Sequence, residues 1–585
     1  MSSVKQRPIV VNPDVGNDSN GSAAPNNPLQ SSFNANDDGS SIDSDERYLW
    51  HAGICAIVPA HLPSLYATGV TCTRIQAVSA PAMEVLRELC SQLWFVNSTL
   101  CSIWHVLTDQ AALYSVGGIR TTFTIGVGAG GPAAYWSSYV VTCVFVFITA
   151  AVLAEVCSAL PAAGSIYFWA AESGGRRWGR LFGFIVAWWS TTAWTTFVAS
   201  NCQAAANFLL SEITVFGLNF TTDVNDVKFR AVQWIVSEAI LFLAIGMNYL
   251  DPKTYKTIFR LATGIILLDF FLNIIWLPIA VHNSYGFQDA KYVFTQTYNE
   301  TGAPPVWNWM LSYYVTAGVL VGFEASGHIS EETKNASSVS ARAIFWSAVA
   351  SALIGFPLVI LFLFCLPNLE TLYSLDAPQP FVEIYAMTMG RSGHVFMNVV
   401  CIVGLIFNTT VAGVASSRLI WAVARDGVLP FSGWISKVSD KKEPRNAIIV
   451  MHAVAALLLC TILPSPVAFT SLVSAAGVPT ITAYALIAFG RFFLTPRQFQ
   501  HSPWSLGRWS RPFTLIALVW NLYLACVLFS PLEFPVTSQT FNYSPVIFGA
   551  ITIFGLLTYF LTPEEAWLPA ARLGKVHRLE EEWQE

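Results

Sequence analysis

Stretches of about 20 mostly apolar residues recur along this chain, the length a helix needs to cross the hydrocarbon of a bilayer. Twelve can be placed, roughly at 97–118, 134–160, 181–210, 231–250, 259–281, 306–324, 343–366, 395–416, 446–463, 466–490, 513–531 and 543–562. Composition points the same way. The chain is 54% hydrophobic and 11% charged, where an average soluble domain is roughly a quarter charged. So little charge cannot clothe several globular domains in solvated surface, whereas a bilayer accepts apolar side chains. The 21 Trp and 40 Phe suit the core and interfacial belt of a membrane protein.

The charges that are present orient the spans. With both termini cytoplasmic, the inside loops and C-terminal tail hold 21 Lys/Arg, and the outside loops hold five: Arg120, Lys228, Arg230, Lys291 and Arg391. Such a bias is the expected topology signal. Sequons at Asn219, Asn299 and Asn542 fall in outside loops, where glycosylation is possible, and the one at Asn335 falls inside. No run of Lys/Arg suggests nucleic acid. The eleven Cys contain no C-x-x-C pair, and those in apolar stretches, such as Cys143, Cys202, Cys365 and Cys401, read as small core hydrophobes. No metal site and no cofactor are expected.

Three regions follow. Residues 1–92 form an N-terminal tail, disordered by its Asn, Ser, Asp, Gly and Pro content over the first 48 or so residues. Within it, residues 50–82 are neither disordered in composition nor apolar enough to span, and read as non-native coding such as a retained intron. Residues 93–565 carry the spans, and 566–585 form a C-terminal tail.

Uninterrupted apolar helices only anchor. Moving a solute needs breaks, small residues and a few polar groups at membrane depth. The sixth span ends in Gly318-Val319-Leu320-Val321-Gly322-Phe323-Glu324-Ala325-Ser326-Gly327, glycines that make unwinding easy beside an acid. A carboxylate at membrane depth costs about 2.5–3.5 kcal/mol. Two readings stay open for Glu324: a binding or gating acid facing an amine or taking a proton, or an edge residue capping a half-helix in water.

The run from Gly322 to Thr333, Gly-Phe-Glu-Ala-Ser-Gly-His-Ile-Ser-Glu-Glu-Thr, resembles the sixth-helix signature of the amino acid–polyamine–organocation permeases, and among them the fungal branch that carries GABA, choline or polyamines. Ala154-Glu155 through Pro161, Gly164-Ser165 and Tyr167-Phe168-Trp169 are similar to the motif after the second helix, with Ser165 in place of the usual second Gly. Ser417-Arg418 through Ala424-Arg425-Asp426-Gly427-Val428-Leu429-Pro430 is similar to the pattern after the eighth, and Gly130-Gly131-Pro132 also fits. The resemblance implies an all-α membrane protein of twelve transmembrane helices, two inverted five-helix repeats plus two C-terminal helices. The first and sixth helices would be broken mid-membrane around the substrate, with half-helix N-termini facing a carboxylate. At the first helix this chain departs from the family: the span holds His105 and Asp109, and Gly117-Gly118, which could be the break, comes late.

The expected substrate-binding set is Gly318, Gly322, Phe323, Glu324, Ala325, Ser326, Gly117, Gly118, Trp194 and Asn408. The expected coupling or gating set is Glu324, Glu155, Asp269 and Arg425. Glu155 either pairs with a loop arginine such as Arg425 or is a snorkelling end residue. Asp269, mid-span, is either a proton carrier or an acid hydrogen-bonded to a neighbouring helix, and Glu238 is similar. The run Trp188 to Thr196 either presents aromatic faces to an amine or packs, its threonines bonded to their own backbone. Asn408 lines a path or bonds across helices.

The function expected is secondary transport of an amino acid or small amine such as GABA, choline or a polyamine, by alternating access and with proton symport. The alternative is a nutrient sensor that keeps the fold but binds without carrying. An enzyme is not expected. Partners are the small solute, protons and the lipid bilayer, with oligomeric state open. The plasma membrane is favoured over the vacuolar one.

Overall fold

The computed structural model describes residues 114–567, apart from 163, 251, 333–334, 440–442, 465–466, 497–498, 500–501, 538–539 and 564–566. The N-terminal tail with its 50–82 stretch, the first span up to 113 with His105 and Asp109, and the C-terminal tail beyond 567 lie outside the described residues.

The described chain is helical, and its strand-like pairing is the isolated bridge between Ala129 and Asn299. Ten helical stretches are long and apolar enough to cross a membrane. In chain order the main helices are α1 (Ser115–Gly128), α2 (Gly131–Ala159), α3 (Ser165–Ser173), α4 (Gly175–Leu210), α5 (Val227–Gly246) and α6 (Pro252–Asn283). There follow α7 (Pro305–Leu311), α8 (Tyr313–Leu320), α9 (Ala336–Cys365), α10 (Pro380–Arg425), α11 (Arg445–Leu459), α12 (Ala468–Phe489), α13 (Ser510–Phe529) and α14 (Ser544–Leu561).

Two of the twelve expected spans are not among the ten. The first is described only as α1, which begins at Ser115 and runs past the expected end at 118 to Gly128. The sixth is interrupted. From Pro305 to Leu320 the helix rises about 24 Å, short of the roughly 30 Å hydrocarbon core. It stops at Val321, which is extended (φ −88°, ψ 153°), and at Gly322, φ +99°. A ten-residue 3-10 stretch, Phe323–Glu332, follows. The eighth expected span, 395–416, lies inside a longer α10 that bends at Gly390 (φ 67°, ψ −176°). Gly390 adopts this conformation without steric cost because it has no Cβ.

Burial sorts the helices. The apolar windows of the α4 and α12 segments are each 72% buried, whereas that of α14 is 17% buried. So α4 and α12 stand at the centre and α14 at the rim. Phe242 and Leu243 on α5, Phe271 and Ile275 on α6, and Phe560 on α14 are exposed, an apolar perimeter that lipid covers at no cost. The turn from α1 to α2 is tight because Gly130 and Gly131 take φ +91° and +82°. A Cβ on Gly131 would lie 2.5 Å from the Tyr298 backbone nitrogen, so the loop reaching Tyr298 seats directly on glycine.

Candidate functional site

A cavity of about 120 Å³ lies where α1, α4, α8, α10 and α12 meet. Gly118 and Thr121 come from α1, Trp194, Phe197 and Asn201 from α4, and Leu405 and Asn408 from α10. Tyr314 and Gly318 of α8, then Gly322 and Glu324 beyond its end, form the next wall, and Ala476 and Thr480 of α12 close it. Every one of these helices is needed, and the break in the sixth segment brings an acid to the lining.

Glu324 is 1% exposed. Its carboxylate accepts a hydrogen bond from the Tyr484 hydroxyl of α12, and Trp194 lines the same cavity. The edge reading for Glu324 is thereby corrected: the helix ends early, so the residue after the break turns inward. Gly318 stays helical, with open space where a Cβ would stand, and the backbone breaks four residues later at Gly322. Asn408 accepts a 2.6 Å hydrogen bond from Asn201, and both line the cavity. Trp194 lines the cavity and meets the His328 ring edge to face at 5.6 Å.

The other expected binding residues do not line the cavity. The Phe323 ring packs on Tyr484 with centroids 5.3 Å apart, and Ala325 and Ser326 are buried in the packing. Gly117 makes room for the Tyr114 ring. The Trp188–Thr196 run divides by face. Trp188 and Trp189 donate to Thr558 and Thr552 of α14, each at 2.9 Å. Thr191 and Thr195 bond the backbone one turn back, at 2.8 and 2.7 Å.

Two of the gating candidates sit in buried ion pairs. The cation that meets Glu155 is Arg491, at 2.5 Å, not Arg425. Glu155 is fully buried and also accepts from the Ser510 hydroxyl at 2.7 Å and the Leu506 amide at 2.9 Å. Arg425 instead stacks on Trp421 at 4.6 Å and lies 3.8 Å from Asp426, which accepts a hydrogen bond from Tyr167 of α3. Asp269 does not face the cavity. Arg120 grips it through both guanidinium nitrogens, at 2.9 and 3.1 Å. Asn273 donates to it at 3.1 Å and Tyr114 at 2.7 Å. An acid so neutralised is poorly suited to carry a proton. Arg120, counted above among loop charges, is a fully buried helix residue. Glu238 accepts from Trp234 one turn away at 3.2 Å.

Sequence reasoning missed Tyr484, Asn201, Tyr114, Arg120 and Arg491. Arg120 had a signal: an acid in mid-membrane needs a counter-charge, and Arg120 lies two residues after Gly118. Ser165 sits at φ +34°, which explains why glycine is usual there, and its hydroxyl bonds His328 at 2.7 Å. Of the outside sequons, Asn542 is 8% exposed and its Nδ2 donates to the Leu528 and Ser530 carbonyls, so it offers no free amide for a glycan.

Helices of membrane-spanning length, packed round a small mixed-polarity cavity beside a broken helix, define a membrane transport protein. The chain belongs to the amino acid permease family, of the amino acid–polyamine–organocation superfamily: the family model described as "Amino acid permease" matches residues 99–551. It is similar to the thiamine transporter thi9 of Schizosaccharomyces pombe, 51% identical over 483 residues that cover 78% of this chain and 82% of that protein. It is similar to the amino-acid permease BAT1 homolog of Oryza sativa at 27% identity, covering 80% and 90%. The amino-acid permease BAT1 of Arabidopsis thaliana is 26% identical, covering 77% and 88%. These relatives are transporters, and the chain is a permease rather than an enzyme.

Proposed function

We propose that this permease carries thiamine, an aromatic organic cation, across the plasma membrane. The observation that carries the reading is Glu324, which lines the central cavity together with the aromatic residues Trp194, Phe197 and Tyr314. Thiamine joins a positively charged thiazolium to an aminopyrimidine ring. A buried acid balances the charge, indole and phenyl faces attract a cation, and Asn201 and Asn408 supply amide groups for the pyrimidine. The half-identical relative that transports thiamine supports the same choice. Choline shares the fixed positive charge but lacks the rings. GABA and other amino acids bring a carboxylate that Glu324 repels, so we place them behind thiamine despite the more distant amino-acid permeases.

The twelve-helix arrangement of two inverted five-helix repeats plus two helices is part of the proposal. Its support is the interrupted sixth segment, where α8 ends at Leu320 and the backbone turns at Gly322. Alternating access then swings helices about this break. The buried Glu155–Arg491 pair and the Tyr167–Asp426 bond hold one end shut. Arg491, Tyr167 and Asp426 lie in segments that the arginine and lysine bias assigns to the cytoplasm, the side that takes both termini, and Glu155 lies in the last turns of α2. The proton expected to enter with the cation binds at a group other than Glu324, because Glu324 stays ionised to hold the substrate's charge.

The test is uptake of labelled thiamine, choline, GABA and amino acids by a strain lacking its own carriers. Thiamine alone, or thiamine above choline, is the expected result, stimulated by an inward proton gradient. Uptake of amino acids without thiamine overturns the reading. Thiamine binding to the purified protein without flux identifies a sensor.

A further inference from the structure

A second cavity, of about 420 Å³, lies toward the loops that follow α1, α4 and α13. Tyr314 lines both this cavity and the central one. Its hydroxyl donates to the Thr470 carbonyl and accepts from Ser474, both at 2.5 Å, so the ring is pinned to α12 as a partition. It is 1% exposed.

The second cavity has the chemistry of a cation site. Glu300 is exposed on its wall. Tyr298 donates to the Glu300 carboxylate at 2.6 Å, and the Tyr298 and Tyr373 rings stack with centroids 5.1 Å apart at 16°. Tyr373 is tied down by a 2.9 Å bond to the Thr124 carbonyl. Glu300 and Tyr373 both line this cavity. Gln203 of α4 lines the same cavity. It is 2% exposed, and its Oε1 has no hydrogen-bond partner among the described residues. A buried carbonyl left unpaired is costly and calls for a donor such as an exocyclic amine.

We infer that this cavity is a separate docking site for the same class of organic cation, built from Glu300, Tyr373 and Gln203, with Tyr314 as the gate between it and the central cavity. The inference rests on the cationic substrate proposed above. An exposed acid at the mouth raises the local concentration of a cation and its rate of capture. The aromatic face and the amide carbonyl then hold the cation until the α8–α12 bond at Tyr314 opens.

Equilibrium binding of labelled thiamine to the purified full chain in lipid nanodiscs separates the two sites. The parent is expected to bind two thiamines with different affinities. Glu324→Gln is expected to keep the weaker one, and Glu324→Gln with Glu300→Gln to lose it. In transport, Glu300→Gln is expected to raise KM about 3- to 10-fold with kcat unchanged, an effect that shrinks in high salt. Tyr314→Phe, which loses its bonds to Thr470 and Ser474, is expected to release bound thiamine about 5-fold faster. Binding of a single thiamine that disappears entirely in Glu324→Gln overturns the second site and leaves the proposed function standing. No binding to the parent overturns both. An unaltered KM in Glu300→Gln at low salt, or unaltered release from Tyr314→Phe, removes the roles given to those residues.

Discussion

Arg120 and Asp269 face each other at 2.9 Å with both side chains fully buried. The pair ties α1 to α6, and Tyr385 extends it to α10 by accepting from Arg120 at 2.9 Å and donating to Asn273 at 2.7 Å. Its reach to function is through Tyr114, which lines the central cavity and donates to Asp269. Breaking one partner leaves a charge buried without its counter-ion. Arg120→Met is expected to cost about 3–5 kcal/mol and Arg120→Met with Asp269→Leu to recover most of it, read as thermal unfolding in detergent. A single substitution as stable as the parent contradicts the pairing.

The Glu155 correction has its own test. Residues in contact couple by about 0.5–3 kcal/mol, whereas distant ones add to within about 0.5 kcal/mol. A double-mutant cycle of Glu155→Ala with Arg491→Ala is expected to show coupling of more than about 1 kcal/mol. The cycle of Glu155→Ala with Arg425→Ala is expected to be additive. The reverse pattern restores Arg425 as the partner.

Helix α9 packs on α2 at Gly355, where a Cβ would collide with the Tyr139 hydroxyl. That hydroxyl has no hydrogen-bond partner among the described residues, so its removal leaves nothing unpaired. Gly355→Ala is expected to lower stability by about 1–3 kcal/mol, and Gly355→Ala with Tyr139→Phe to regain most of it. Failure of the second change to rescue the first contradicts this packing.

Much of the fold was legible because the bilayer imposes one rule, about 20 apolar residues per crossing, and ten stretches obey it. The break in the sixth segment was legible from its glycines, with Gly322 as the point of interruption. Asn408, Trp194 and Gly118 reach the cavity from three helices; Asn408 and Gly118 could be picked out as a polar and a small residue, and Trp194 as an aromatic among hydroxyls. Tyr484 could not. A tyrosine in an apolar helix reads as packing, and only the approach of α12 to the broken segment makes it the partner of Glu324. Arg120 was obscured by its place near a span end, where an arginine looks like a loop charge. The Glu155–Arg491 pair joins residues 336 apart, a distance that no local pattern encodes.

Gly322 tests the break itself. Its φ of +99° is a conformation an L side chain rarely adopts. Gly322→Ala is expected to cut uptake sharply, at a stability cost of about 1–3 kcal/mol, because the chain must either carry the strain or rewind the helix and withdraw Glu324. Parent-like uptake by a well-expressed Gly322→Ala contradicts a functional break.

The central claim is that the Glu324 carboxylate in the cavity binds the positive charge of the substrate. Equilibrium binding of thiamine to Glu324→Gln beside the parent tests it most directly, since the substitution keeps the shape and removes the charge. A close pair of opposite charges couples by about 1.5 kcal/mol or more, so the affinity of the central site is expected to fall by at least about 10-fold, with folding intact by size-exclusion chromatography. A folded Glu324→Gln that binds thiamine at the central site as tightly as the parent contradicts the account.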